Sequence, residues 1–313
     1  MYFPYVRGRQ YELLALRELM KNSLLSNKII PIIEPVKLSS TLIKTMDEFI
    51  KKGKEIAFIV NPTVGGFAKD MKDADKDPYK QQLNQLLQDN NIVKAHIMKA
   101  NSSVNLDSWE KRGVAKNELI VINTNREHLE LYGELFSEQG PRHVLIPGES
   151  TFRRKVRNQC ILFDDKFEKQ ERNADYQEQS DEFFSEDHIY FKDEGFEGFA
   201  DFSVVGKGYK ESGFAPYAIA IHIVYFAKDG TLRIKHFVSD SNDDISNPAM
   251  KFYEALGKLY VWQQETHIQM TLGLKTLLKH YSEQTYPGLG SVKKLSIMHH
   301  IELVSKYMDG EIE

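Results

Sequence analysis

Short apolar runs recur along this chain, and each ends in polar residues. They are IIPIIEP (29–35), IAFIVNP (56–62), VKAHIMKAN (93–101), ELIVINTN (118–125), HVLIPGES (143–150), QCILFDD (159–165), FADFSVV (199–205) and YAIAIHIVYF (217–226). The runs are rich in Ile and Val and mostly continuous rather than alternating. That pattern predicts strands buried on both faces, as in a parallel sheet.

Helical spacing fills several of the intervals. Leu42, Ile43, Met46, Phe49 and Ile50 predict a helix over 40–52, with Ser39 or Ser40 as its N-cap. Residues 78–91 open on Pro78, which suits a first turn, and residues 126–140 end at Gly140, which suits a helix terminus. Residues 248–284 read as one long helix or two, with a break near Gly273. A last helix spans 292–308, capped by Ser291, with Val292, Leu295, Met298, Ile301 and Val304 on its apolar side.

The β-α-β-α order makes the class α/β, and eight strands with helical connections predict a TIM-like (β/α)8 barrel. An open doubly wound sheet is the competing arrangement. The second half of the barrel must be irregular, because the connection GKGYKESGFAP (206–216) holds too much glycine for a crossover helix. Asp229-Gly230 then marks a hairpin. The expected organisation is a barrel-like domain over 1–247, with an acidic insertion near 165–197, and C-terminal helices over 248–313 packed on the same domain.

The 313 residues are 41% hydrophobic and 27% charged, which leaves material for a large core. A net charge of −4 argues against a general nucleic-acid coat. Cys160 is the one cysteine, so an internal disulfide and a Cys-rich metal motif are both excluded, and a cytoplasmic setting is the simplest. No apolar run approaches the ~20 residues of a membrane span, and Arg7 and Arg9 interrupt the N-terminal apolar residues as no signal peptide would. Charge is uneven. Residues 163–197 hold thirteen acids against four Lys or Arg, directly after the basic run 153–157.

In barrels and open sheets, ligands bind at the C-terminal ends of the strands. Those ends offer Glu34, Asn61, Lys99, Asn101, Asn123, Thr124, Glu149, Asp164, Asp165 and Asp201, with His222 deeper in its run. Polar residues end any strand, but Glu34, Asp201 and His222 interrupt apolar runs, where a charge needs a partner or a ligand. His222 is the candidate for acid–base work, with Asp201 and Asp164 as catalytic partners. Its bland alternative is a core histidine bonded to a carbonyl. Glu34, Asp164 and Asp201 would supply oxygen ligands to Mg2+ or Mn2+.

Arg153, Arg172, Asn61, Lys99, Lys293 and Lys294 are the candidate phosphate ligands, the two lysines lying in the first turn of the last helix. Salt bridges to the acidic segment are the competing use of these cations. Residues 172–196 are long for a crossover and read as a lid or recognition loop anchored by Phe183, Phe184, Tyr190 and Phe191. RGRQYE, with Arg7, Arg9 and Glu12, reads as a solvated segment leading into a helix. His299 and His300 are adjacent on a helix, about 100° apart, and cannot easily share a metal.

Several stretches together carry a family resemblance: MYFPYVRGRQYELLALREL, IIPIIEPVK, RNADY, DEFFSEDH, GFAPYAIAIHIVYF, HFVSDSN and PGLGSVKKLSIMHHIEL. They resemble a bacterial family of this chain length, related at its N-terminus to the phage "beta protein" family. The likeness spans nearly the whole chain. It implies membership and a setting in phage–host conflict, and it brings no mechanism, cofactor or catalytic residue with it.

The expected function is binding of a phosphorylated or nucleotide-like ligand, a small molecule or a nucleic-acid end, at the strand C-terminal ends. The associated activity would be metal-dependent phosphoester hydrolysis. The alternative is a non-catalytic phage-defence sensor that meets a protein partner through its acidic insertion. No contact with a membrane is expected.

Overall fold

The computed structural model describes residues 1–211 and 216–312. The chain begins β1 (Tyr2–Val6), α1 (Gln10–Lys21), β2 (Ile32–Ile33), α2 (Ser40–Lys51), β3 (Ile56–Ile59), α3 (Phe67–Asp70), α4 (Asp77–Leu86) and β4 (Ile92–Ile97). Next come α5 (Ser102–Glu110), β5 (Ile120–Ile122), α6 (Leu129–Leu135), β6 (His143–Ile146), α7 (Ser150–Lys155), β7 (Cys160–Phe163), β8 (Asp181–Ser185) and α8 (Asp187–Tyr190). The remainder is β9 (Gly198–Asp201), β10 (Ala220–Phe226), β11 (Leu232–Val238), α9 (Pro248–Thr266), α10 (Leu272–Ser282) and α11 (Leu289–Asp309). Among the described residues no helix is long and apolar enough to cross a membrane.

These elements form two compact units. One holds Met1–Leu13, Asn27–Asp164 and Asp187–Asp201; the other holds Leu14–Ser26, Asp165–Glu186 and Phe202–Glu313. The divisions therefore fall at 13/14, 26/27, 164/165, 186/187 and 201/202.

The first unit is a closed parallel barrel in the order β1-β2-β3-β4-β5-β6-β7-β9, the TIM-like α/β architecture that the apolar runs predict. Seven of the eight runs supply its strands. The other strand is the N-terminal Tyr2–Val6, in place of 217–226. It pairs with β2 through Tyr5 and Val6 and with β9 through Tyr2, Phe3 and Pro4. Pro4 has no N–H to donate, and it sits between an isolated Tyr2–Ile29 bridge and the short β2 ladder. The segment leading into α1 is thus only partly solvated, with Gln10 and Tyr11 exposed. Every residue of β1 is buried, Arg7 is 8% exposed, and Glu12 is fully buried and accepts from the Arg7 backbone N–H at 2.7 Å.

Local signals placed the barrel helices well where they were strong. Ser39 Oγ accepts from Leu42 N at 3.3 Å and caps α2, and Pro78 lies in the first turn of α4. The interval 126–140 is less regular than expected. A 3-10 turn over Arg126–His128, capped by Asn125, precedes α6, which stops at Leu135.

The second unit centres on an antiparallel sheet in the order β10-β11-β8. The Asp229-Gly230 hairpin joins β10 to β11, with Gly230 at φ +81° and Ala227 N–H donating to Thr231 O at 2.8 Å. β8 comes from within the acidic segment, which also holds a 3-10 turn over Asn173–Gln177 and the short helix α8. Of its expected anchors, Phe184 and Phe191 are buried, whereas Phe183 and Tyr190 are exposed. Residues 212–215 of the Gly-rich connection lie outside the described residues.

Residues 248–284 form two helices, α9 and α10, divided by a left-handed His267 at φ +52°. The break lies just before Gly273, at residues 267–271. Gly273 lies inside α10, where it lets α10 approach α11. α11 starts earlier than expected, with Gly288 as its N-cap, so Ser291 sits within the first turn. From Leu295 to Ser305 every residue of α11 is buried, including His299, His300 and Glu302. His299 Nδ1 bonds Thr271 Oγ1 and its Nε2 bonds Val224 O, while His300 Nδ1 bonds Ser203 Oγ. The two adjacent rings serve different partners, as their helical spacing requires.

A Cβ added at Gly273 would fall on the Leu295 carbonyl and 2.8 Å from His299 N. Replacing helical Gly by Ala ordinarily stabilises by about 1 kcal/mol. Here the sign reverses. Gly273→Ala should destabilise by about 1–3 kcal/mol in urea unfolding, the usual cost of overpacking, and a gain in stability would show that the close helix contact is absent.

Candidate functional site

The C-terminal ends of the barrel strands present two different kinds of polar group. At β1 and β2 the group is a closed network. Glu34 is fully buried, and its Oε1 accepts from Thr63 N at 2.7 Å and Thr63 Oγ1 at 2.6 Å. Its Oε2 accepts from Tyr5 OH at 2.7 Å and from the Arg7 guanidinium. Burial would raise the Glu34 pKa, but Arg7, Thr63 and Tyr5 outweigh it and hold the carboxyl below its ordinary range. Four donors fill the acceptor positions of one carboxylate, so none is left for a metal ion.

The expected Mg2+ or Mn2+ site fares no better at the other acids. Asp201 is 4% exposed and accepts from Tyr2 OH at 2.9 Å. Asp164 is half-buried, with its carboxylate beside Gly148. Among the described residues no three His, Cys, Asp or Glu gather as a metal would require, so Glu34, Asp164 and Asp201 do not form such a set. The residues present do not fit the metal.

At β3 and β4 the arrangement is open. A cleft of about 390 Å3 is lined by Val60, Asn61, Pro62, Phe67, Lys72, Lys99 and neighbours that include Asn101 and Asn105. Lys99 Nζ donates to Asn61 O at 2.7 Å and Pro62 O at 3.3 Å. Burial lowers the Lys99 pKa, and Glu34 offsets part of that effect. Ser102 Oγ accepts from Lys99 N at 2.8 Å and bonds His96 Nε2 at 2.8 Å, which fixes the turn into α5. Burial and then Lys99 push the His96 pKa down to about 4, so this ring is neutral.

Asn61 plays a different part from the one expected. Its carboxamide donates to Ile97 O at 2.8 Å and accepts from Ile97 N at 2.9 Å, a side chain standing in for one more backbone pair between β3 and β4. It lines the cleft but has spent its polar atoms. Asn123, at the end of β5, is the opposite case. It is 1% exposed, and among the described residues neither its Oδ1 nor its Nδ2 has a hydrogen-bond partner. A buried, unsatisfied carboxamide is costly to leave in place. The sequence offered no way to separate Asn61 from Asn123, because both simply end an apolar run.

His222 lies in the second unit, on β10, and not on a barrel strand. Its Nδ1 is 2.7 Å from His236 Nδ1, and His236 Nε2 is 3.0 Å from Glu182 Oε1. Phe167 and Tyr176 stand edge-on to the His222 ring, with centroids at 5.1 and 4.7 Å. His222 and Arg172 thus belong to one unit, and Glu34, Asp164 and Asp201 to the other. His236 and Glu182 were not foreseen. Both sit in strands whose pairing cannot be read without the register.

The remaining cations divide. Arg153 is exposed on α7 and shares a shallow cleft with Arg157, Cys160 and Gly195, which places it by the N-terminal start of β7. That is the wrong end of the strands for the expected ligand role. Arg172 is exposed, and its backbone N–H donates to Asp175 Oδ2 at 3.1 Å at a 3-10 turn. Lys294 is committed to Glu18, with Nζ to Oε2 at 2.5 Å. Lys293 lines a cavity with His222. Part of the acidic segment is likewise paired, Asp181 with Arg233 and Lys235.

Because Glu34 titrates lower folded than unfolded, it adds stability above its unfolded pKa and loses it as pH falls through the folded value. Glu34→Gln should cost about 3–5 kcal/mol at pH 7, since it leaves Arg7 buried opposite a neutral group. It should also flatten the loss of stability on acidification below about pH 4. Urea midpoints measured across pH for both chains check this, and parallel pH curves would contradict it.

No family model, no curated protein and no solved structure matches this chain.

Proposed function

We propose that the barrel binds a phosphorylated or nucleotide-like ligand at the C-terminal ends of β3 and β4. The observation that carries this reading is the charge balance of the 390 Å3 cleft. Lys72 and Lys99 line it, and among its described lining residues there is no carboxylate. Lys99 is held in place by two backbone carbonyls and is partly desolvated, so an anion would recover energy that its burial costs. Asn101 and Asn105 add amide donors, and Phe67, Met71 and Pro62 add apolar surface for a ring. Strand C-terminal ends are also where barrels bind ligands, which supports the location by analogy.

We assign binding and no hydrolytic step to this mouth, since its buried acids are spent on Tyr5, Arg7, Thr63 and Tyr2. Phage–host conflict rests on the sequence resemblance alone. A partner surface along the acidic segment draws less support, because Asp181 and Glu182 are engaged within their own sheet.

Calorimetric titration of the full chain with inorganic phosphate and with a nucleoside monophosphate tests the reading. Wild type should bind, more weakly as salt rises, and Lys99→Met should weaken binding about tenfold or more. Lys99→Met also strips a donor from two carbonyls, so exposed Lys72→Met serves as the second variant and should weaken binding with an unchanged melting temperature. Absence of binding by wild type, or full affinity in both variants, removes the proposal.

A further inference from the structure

Asn123, at the end of β5, is 1% exposed, and among the described residues neither its Oδ1 nor its Nδ2 has a hydrogen-bond partner. His96, on the neighbouring β4, is fully buried, and its Nδ1 is unmatched in the same way. Nearly every buried polar atom in a folded protein is bonded, so two such residues on adjacent strands point to a shared cause.

The register puts them on one face. His96 pairs with Val121, and Asn123 follows two residues later, on the same side of the pleat. That side is the outer one. Phe3 on β1 and His143 on β6 meet at a centroid distance of 5.3 Å although their strands are not neighbours, so both rings point into the barrel. Ile120 pairs with His143, which turns Ile120 and Ile122 inward and Val121 and Asn123 outward, toward the helices. His96 agrees, since its Nε2 reaches Ser102, the first residue of α5. Diagonal neighbours on one face of a sheet stand about 7–8 Å apart. The two side chains shorten that gap to the span of a bridging water.

The hydrogens on this row are constrained. Ser102 Oγ accepts from Lys99 N at 2.8 Å. Ser102 is fully buried, and among the described residues its own O–H has one acceptor, His96 Nε2 at 2.8 Å. Neutral His96 therefore carries its hydrogen on Nδ1. A water that accepts from His96 Nδ1–H and donates to Asn123 Oδ1 satisfies both groups, and Asn123 Nδ2 donates to a second water.

We propose that Asn123, His96 and Ser102 form a hydrated relay in the barrel wall that positions Lys99 for the ligand of the β3–β4 cleft, a role that rests on the binding assigned to that cleft. The three are positioning residues, and none of them lines the cleft as Lys99 does. Water holds the His96 ring through Asn123, the ring holds the Ser102 hydroxyl, and Ser102 Oγ holds the Lys99 backbone N–H. The Asn61 and Pro62 carbonyls hold Lys99 Nζ at the other end of the side chain. The incoming ligand thus meets an ammonium that is already placed and does not have to order it. Burial, then Lys99, keep the His96 pKa near about 4, so the relay keeps one direction at neutral pH.

Nitrogen-15 histidine spectra of the full chain at pH 7 should show hydrogen on His96 Nδ1, and that hydrogen should give a nuclear Overhauser signal to a bound water. Hydrogen on His96 Nε2, or no signal to water, would overturn the relay. Asn123→Leu removes the carboxamide at nearly equal volume. It should lower the melting temperature by several degrees, because the His96 donor loses its acceptor. A carboxamide that is simply dry predicts the opposite sign, and a rise would overturn the proposal. In calorimetric titration with inorganic phosphate, Asn123→Leu should bind about fivefold to tenfold more weakly than wild type, the equivalent of roughly one hydrogen bond. Equal affinity would remove the positioning role. A wild type that binds no phosphate removes the ligand assigned to the cleft, whereas the His96 hydrogen and its water test the relay whatever that titration gives.

Discussion

Everything at the barrel mouth depends on closure of a parallel sheet by its N-terminal strand. A parallel sheet with free edges carries unpaired backbone donors and acceptors, and it gives its strand ends no common centre. β1 satisfies both neighbours at once, β2 through Tyr5 and Val6 and β9 through Tyr2 to Pro4. The approach is tight. A Cβ at Gly198 would strike the Met1 backbone, and Phe199 N–H donates to Met1 O at 3.0 Å. Side chains reinforce the same seam, with Tyr2 bonded to Asp201 and Tyr5 bonded to Glu34. The acids that looked like metal ligands are in large part the means by which β1 is held.

The same economy separates anchoring polar groups from available ones. Glu34 and Asn61 are saturated by protein partners, whereas Lys99 keeps its ammonium on a cleft, and Asn123 is buried with its carboxamide unmatched. A buried charge or amide costs several kcal/mol unless it is paired. Its partners, more than its residue type, therefore tell whether it holds the fold or awaits a ligand. By that criterion Glu34 and Asn61 hold the fold, while Lys99 at the β3–β4 cleft and Asn123 at the end of β5 are the groups still unanswered.

The second unit uses interrupted barrel connectivity to build a different device. Between β7 and β9 the chain leaves for β8, and after β9 it supplies β10, β11 and the last three helices. Three strands from distant parts of the sequence thereby bring Glu182, His222 and His236 into one hydrogen-bonded row. The row lies beside a helix, α11, whose buried His299 bonds Thr271 and the Val224 carbonyl and whose His300 bonds Ser203 through Nδ1.

The α/β class, seven barrel strands, the α2 cap and the Asp229-Gly230 hairpin were legible in the residues, because each rests on local hydrophobic period or local backbone chemistry. His222 stood out for the same kind of reason, a titratable group inside an apolar run. What local pattern could not reveal was pairing. β1 hides behind a proline and two tyrosines, and its strand character comes from neighbours 27 and 197 residues away. The loss of 217–226 from the barrel follows from that substitution, since the closed ring has no place for another strand. Whether Glu34, Asn61 or Lys294 is free or spent is likewise decided by partners remote in sequence. The sequence by itself determined which segments must be buried and where charge would need an answer. Only the tertiary structure decided which group answers it, because hydrogen bonding and charge pairing depend on distances in space that the order of residues does not contain.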